Sequence, residues 1–468
     1  MPSHDLIIKN GKVLHGQDFE VVDIAVSNQK ITSINKSIKG KSKTLIDASG
    51  KIVLPGGIDS HCHIEQRSAS GLVNSDNFYS ATCSAASGGN TTVIPFAAQY
   101  EGESLKEVVQ QYHKLANKGA VVDYAMHMII AGPSDEVITG ELPILMQNGH
   151  SSIKVFMTYD RLRIEDEEII KILKEVKKKG GLVSVHAENH ELINDKVKQL
   201  LSEGFEHPKY HTDSHPIEGE VEAIHRILSM SHSTRQPVMI FHVSSKEGLD
   251  QIRKAKEEGI KFFSETCTQY LTLSPELLDQ KERNDGAKWI CSPPIRGGYH
   301  SEALWKGLED GLLDLVSSDH APYSYDKRGK LFKSEQPNFK EIPNGMPGLN
   351  WRLPVLLDSI LNKKNSLNIH DFVRLTSSMP AKIYGLYPKK GEIKIGSDAD
   401  LVIWDTNKKI ILSDEMVIDG SNYNPYSGKL VSCWPQEVIL RGKSIVKDNR
   451  ILVSPGSGEF LPTKIEGS

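Results

Sequence analysis

Ile58-Asp59-Ser60-His61-Cys62-His63-Ile64 is an apolar, strand-like run that carries two histidines two residues apart and follows Gly56-Gly57. Strand geometry sends residues i and i+2 to the same face, so His61 and His63 point together. The run is the first of eight. The others are 91–97 (TTVIPFA), 122–131 (VDYAMHMIIA), 152–159 (SIKVFMTY), 182–188 (LVSVHAE), 238–244 (VMIFHVS), 260–267 (IKFFSETC) and 313–321 (LDLVSSDHA). Stretches with helical spacing, such as 104–109 and 167–173, lie between them. Continuous apolar strands alternating with helices are parallel strands covered on both faces. Eight such units between residues 58 and 321 predict an α/β protein built on a (β/α)8 TIM-type barrel, a fold of typically ~250 residues. The competing architecture is an open doubly wound sheet, and no GxGxxG follows the early strands to support it.

Outward from the barrel, the chain opens with short strand-like runs at 6–14, 23–26 and 30–34, and such runs return at 391–396, 399–404 and 437–440. Both chain ends are therefore expected to build one small β-sandwich domain, 1–55 plus 386–455, around a catalytic barrel at 56–385. A loose C-terminal tail is expected at 456–468. Two long intervals, between the fifth and sixth strands and around 280–300, read as loop or helix insertions.

Composition excludes several classes of function. The 468 residues carry 56 basic and 60 acidic side chains, a net charge of −4, which gives no electrostatic footprint for nucleic acid or an anionic membrane. No apolar run approaches the roughly 18 residues of a membrane span, and residues 1–5 show no secretory n-region. Cys62, Cys83, Cys267, Cys291 and Cys433 are scattered and form no CxxC pair, which fits a reducing cytoplasm.

Polar residues gather where the strands end: His61 and His63 on the first, His186 on the fifth, His242 on the sixth and Asp319 on the eighth, with Lys154 in the fourth. In a barrel that is the face where catalytic groups converge. Any one of these histidines alone reads as an ordinary core or surface residue. Four of them with an aspartate, all at strand ends, suit Zn²⁺ or a similar ion. Lys154 lies in a run that should be buried, where a bare ammonium is costly and its pKa falls. On the residues alone three readings stay open: a lysine snorkelling to an edge, one paired with a carboxylate, or a neutral amine that takes up CO₂ and bridges two metals as a carbamate.

Gly56 to His63, Lys154-Val155-Phe156-Met157, His186-Ala187-Glu188-Asn189, Ser318-Asp319-His320 and the stretch from Gly396 to Asp405 together resemble the cyclic amidohydrolases. That family comprises hydantoinases, dihydropyrimidinases, allantoinases and dihydroorotases. The stretches Glu265 to Tyr270 and Ile342-Pro343-Asn344-Gly345 favour the hydantoinase/dihydropyrimidinase branch. The resemblance implies a metal-dependent hydrolase that opens the cyclic amide of dihydropyrimidines or hydantoins to N-carbamoyl amino acids. It implies two divalent ions, most commonly zinc. One would be held by His61, His63, Asp319 and a CO₂-derived carbamate on Lys154 (N6-carboxylysine), the other by the same carbamate with His186 and His242. A hydroxide bridging the metals would attack, Asp319 would carry its proton, and Tyr159 would stabilise the oxyanion. Ser292 and Asn344 would hold the ring amide through backbone groups. A homotetramer is the usual assembly of such proteins, and the partner is a small cyclic ureide or imide.

Some segments depart from the branch. Ser318-Asp319-His320-Ala321-Pro322 looks more like allantoinase or dihydroorotase, and Gly348 to Arg352 lacks an acidic pair that hydantoinases commonly carry. Dihydroorotases place an arginine two residues after the paired histidines, where this chain has Glu65. Allantoinase or a cyclic imide hydrolase is the alternative activity. Non-enzymatic relatives of the collapsin response mediator type keep the fold and lose metal ligands, but here every ligand position is filled. Arg67, Arg161 and Arg163 fall in loops that are largely apolar in hydantoinases. They are either solvated rim charges or groups that select a polar or anionic ring substituent.

Overall fold

The computed structural model describes residues 4–15, 18–68, 71–362 and 365–465. Eight parallel strands, β1 (Gly57–Cys62), β2 (Asn90–Gln99), β3 (His127–Ile130), β4 (Ser152–Phe156), β5 (Leu182–His186), β6 (Val238–Ile240), β7 (Phe263–Cys267) and β8 (Leu315–Ser317), pair in chain order. The eighth returns to the first at a bridge between Cys62 and His320, where the His63 N–H donates to the His320 carbonyl. The barrel is thereby nearly closed. All eight expected runs contribute a strand, although the run at 122–131 is split into Asp123–Tyr124 and β3.

Period-two alternation sorts the side chains. On β2, Ile94, Phe96 and Ala98 pack in the barrel's interior cluster with Ile58, Ile129 and Phe241, while Val93 and Ala97 belong to the layer under the helices. On β4, Ile153 and Val155 join that outer layer and Phe156 the interior. Lys154, between the two outer residues, is therefore turned inward.

The helix Asp166–Lys179 shows how the outer layer is specified. Ile169, Ile172, Leu173 and Val176 recur at helical spacing and are buried, worth roughly 1.5–3 kcal/mol each on full burial. Glu165 and Glu168 form a capping box. Three acids in the first turn and three lysines in the last complement the helix dipole. The long interval between β5 and β6 folds as three helices, His190–Ser202, Tyr210–Ser214 and Ile217–Thr234.

The two chain ends meet in one mixed nine-stranded sheet. Its order runs Arg450–Ile451, Lys443–Lys447, Trp434–Leu440, Leu401–Asp405, Ile52–Pro55, His4–His15, Asp18–Ser27 and Lys30–Asn35, with Ser42–Asp47 beside the start of His4–His15. Pairing of the first long strand shifts register between Ile8 and Gly11. Ser42–Asp47 pairs before that shift and Ile52–Pro55 after it. Ile46 from one arm and Leu401 and Ile403 from the other share a single core.

The stretch after Pro455 is not the loose tail its composition suggested. The N–H groups of Gly458, Leu461 and Thr463 donate to the carbonyls of Ala120, Tyr124 and Gly149, and Leu461 is buried. A strand-like pairing with the barrel's lower rim outweighs the local glycine and serine content. Residues 466–468 of that expected tail, and residues 69 and 70 of the loop after β1, lie outside the described residues. Among the described residues, no helix is long and apolar enough to cross a membrane.

Candidate metal centre and active site

The C-terminal ends of the barrel strands bring His61, His63, Lys154, His186, His242 and Asp319 to the wall of one cavity of about 360 Å³. His61 Nε2 lies 3.0 Å and His63 Nε2 3.3 Å from the same Asp319 oxygen. These three residues offer ligand atoms within 4.8 Å of one another. The opposite ring nitrogens are also held. His61 Nδ1 sits 2.5 Å from Glu265 Oε1, and His63 Nδ1 sits 2.6 Å from Gln66 Oε1. An Nδ1–H donated to such an acceptor leaves the Nε2 lone pair facing the cavity, the arrangement a metal requires.

Lys154 is fully buried, and among the described residues its Nζ has no hydrogen-bond partner. The amine lies 4.0 Å from the Phe241 ring centre and 4.7 Å from that of Phe156. Burial pulls its pKa down to about 7, so much of it is neutral at physiological pH. Neither the edge lysine nor the carboxylate-paired lysine describes this geometry. His186 and His242 meet edge to face with ring centres 4.4 Å apart. Glu188 Oε2 is 2.7 Å from His186 Nε2, which leaves Nδ1 as that ring's remaining donor atom. Burial holds both imidazoles well below their usual range, and holds Glu188 up at about 8.

Charge balance in the cavity calls for a cation. Burial opposes ionisation of His61, but Asp319 and Glu265 on either side raise it to about 9. Asp319 is likewise held well below the carboxylate range, against the effect of burial, by His61 and His63. An imidazolium is thus the positive charge these acids select. Imidazole, carboxylate and an unpartnered amine form a donor set that fits divalent ions.

Three non-glycine residues here adopt the left-handed region. Tyr159, His242 and Asp319, just beyond β4, β6 and β8, have φ of 74°, 42° and 49°. Each left-handed non-glycine residue costs about 1 kcal/mol or more, and such residues persist where surrounding structure over-determines them. Tyr159 sets up a turn whose carbonyl accepts the Leu162 and Arg163 N–H groups. Burial holds its phenol well above its usual pKa, against the opposing effect of the neighbouring Ser292 and Asn344 side chains. The Ser292 hydroxyl also lies 3.1 Å from His215 Nε2. Gly345, at φ 136°, lets the Asn344 loop pass against Ala321, where any Cβ would collide with a carbonyl. Behind these loops the buried Lys330 donates to the Ile290 carbonyl at 2.9 Å and the Pro343 carbonyl at 2.7 Å.

The three arginines part company. Arg67 pairs with Glu103 at 2.8 Å and Arg163 with Glu191 at 3.0 Å, and neither lines the cavity. Arg161 does line it. The sequence reading missed Glu188, Glu265, Gln66 and Lys330 as contributors. Glu188 carried a usable signal, since it stands two residues after His186 in the run expected at 182–188.

A family profile described as amidohydrolase matches residues 52–445, and the chain belongs to that family. It is 36% identical over 462 residues to the D-hydantoinase of Ralstonia pickettii, covering 98% of each chain. A solved D-hydantoinase structure superposes with a TM-score of 0.95 at 36% identity, covering 99% of this chain and 100% of that one. The dihydropyrimidinase of Brevibacillus agri gives a TM-score of 0.94 at 33% identity, with 99% of both chains covered.

Proposed function

We propose that the protein hydrolyses the cyclic amide bond of dihydropyrimidines or hydantoins, yielding N-carbamoyl amino acids, with two zinc ions and a carbamate on Lys154. The observation that carries this reading is a buried, unpartnered amine on the wall of the cavity where His61, His63 and Asp319 converge. Near full-length likeness to hydantoinases and a dihydropyrimidinase supports it. His61, His63, Asp319 and Lys154, as its carbamate, would hold one ion, and Lys154 with His186 and His242 would hold the other. When bound, such ions activate water at neutral pH and polarise the ring carbonyl.

The chain's own groups do the rest. Asp319 accepts the proton of the attacking water and returns it to the leaving ring nitrogen. The Tyr159 hydroxyl, kept protonated by burial, donates to the carbonyl oxygen as negative charge grows on it. Backbone groups of Ser292 and Asn344 orient the ring amide. Five cysteines, all free and buried, support a cytoplasmic setting, and the family likeness supports a homotetramer.

Ring-opening rates on dihydrouracil, hydantoin, allantoin and succinimide, after reconstitution with zinc and bicarbonate, test the proposal. Turnover of dihydrouracil or hydantoin is expected, with Lys154→Ala at least about 10³-fold slower as several kcal/mol of metal assistance disappear. Turnover confined to allantoin or succinimide would overturn the substrate assignment, and full activity in the lysine variant would overturn the carbamate.

A further inference from the structure

The cavity extends beyond the groups that would meet the ring. Its outer wall carries Leu162, Ile193, Phe332, Phe339 and Ile342, and two cations, Arg161 and Lys340. Among the described residues, neither cation's side chain makes an ion pair or a hydrogen bond. Two acids, Asp160 and Glu341, line the same cavity and keep their charge. Asp160 lies 3.4 Å from His190 Nε2, and Glu341 accepts the Asn338 N–H at 3.0 Å. Both cations are tethered to residues that would contact the ring. Arg161 follows Tyr159 by two residues inside the turn closed on the Tyr159 carbonyl, and Lys340 precedes Asn344 by four. The Lys340 charge also bears on His190, His211 and His215, all on the cavity wall. Its field is directed into the cavity as well as into solvent.

Resting on the function proposed above, we infer that the preferred ring carries an ω-carboxyalkyl substituent, its aliphatic stem against the apolar wall and its carboxylate between Arg161 and Lys340. Guanidinium and ammonium donors to a carboxylate form charge-assisted hydrogen bonds, stronger than neutral ones and weakened by salt. An all-apolar substituent would fill the wall and leave both cations without a partner. A substituent too short to reach the rim would forgo both contributions.

The test compares 5-(2-carboxyethyl)hydantoin with 5-(3-methylbutyl)hydantoin, which match in shape and differ in charge. Two measurements are made on the metal-reconstituted protein: the ratio of kcat/KM for the pair, and the ratio of their Kd values by calorimetry. The carboxylate is expected to be favoured about tenfold or more at low salt, mostly through KM and Kd, with the preference shrinking as salt rises. Arg161→Met and Lys340→Met should each reduce the ratio several-fold, and Arg161→Glu should invert it. The ratio is internal to each variant, so a loss of folded protein does not mimic the effect. An unchanged ratio in the variants, or a parent preference for the alkyl ring, would overturn the inference. If no ring is opened at all the proposed activity fails, while the Kd ratio still decides the anion preference.

Discussion

A histidine that binds a metal through one nitrogen is tuned by whatever holds the other. Glu265, wholly buried on β7, stands 2.5 Å from His61 Nδ1, with its second oxygen unpartnered among the described residues. Glu265→Gln keeps the shape and removes the charge. It is expected to weaken zinc binding about 10–100-fold, as read by competition with a chelator, while the circular dichroism spectrum stays unchanged. Unaltered affinity would show that the carboxylate does not orient the ring. The proposed ligands stand out in the chain because of local signals: His61 and His63 by their spacing, Lys154 by standing between Ile153 and Val155 in a buried run. Glu265 could not be read the same way, because its contact crosses the barrel to a residue 204 positions away.

Strands and loops carry a second kind of information. The sequence reading ran the sixth strand to 244 and the eighth to 321, yet the ladders stop at Ile240 and Ser317. Phe241 and Val243 carry the apolar pattern past the first point and Ser318 to His320 stay buried past the second, but the backbone turns into the left-handed region at His242 and Asp319. Hydrophobic periodicity reports which residues are buried. It does not report where a main chain leaves its ladder, so the overshoot falls on the residues assigned to the metal site. The loops bearing Ser292 and Asn344 were legible only as sequence segments, and their joint anchor, Lys330, was not legible at all. Burial lowers that amine to about 7, and its two acceptors are backbone carbonyls. Lys330→Met is expected to raise KM for the ring substrate about tenfold, equivalent to about 1.4 kcal/mol, with a smaller change in kcat. The melting midpoint should move little, because the variant loses two hydrogen bonds and also a desolvated ammonium. A fall in kcat at constant KM would contradict a role in holding the ring.

At the scale of the whole molecule, buried neutral histidines govern the response to acid. Burial depresses His127 to about 3, His150 to about 4 and His211 to about 4, against an unfolded value near 6.5. Below pH 6.5 the unfolded chain therefore binds more protons than the native one, and stability falls as pH drops. Each such group contributes up to about 1.4 kcal/mol per pH unit. Glu188 and Asp314, held up at about 8 and about 6, pull the other way but are outnumbered. The guanidinium midpoint of metal-free protein should fall steeply as pH drops below about 6.5. A midpoint independent of pH down to about 5 would contradict it. The barrel and the pairing of the two chain ends were legible because each rests on repeated local patterns. The docking of residues 458–463 was not, since it depends on backbone groups that every residue type offers. The sheet that joins the ends has one more consequence. Lys51 reaches Asp405 across 354 positions, and the strand His4–His15 lies deep in a sheet completed by Leu401–Asp405 and Trp434–Leu440. During vectorial synthesis, the strands up to Pro55 leave the ribosome with an open edge that nothing can cover until the strand Leu401–Asp405 has also been made.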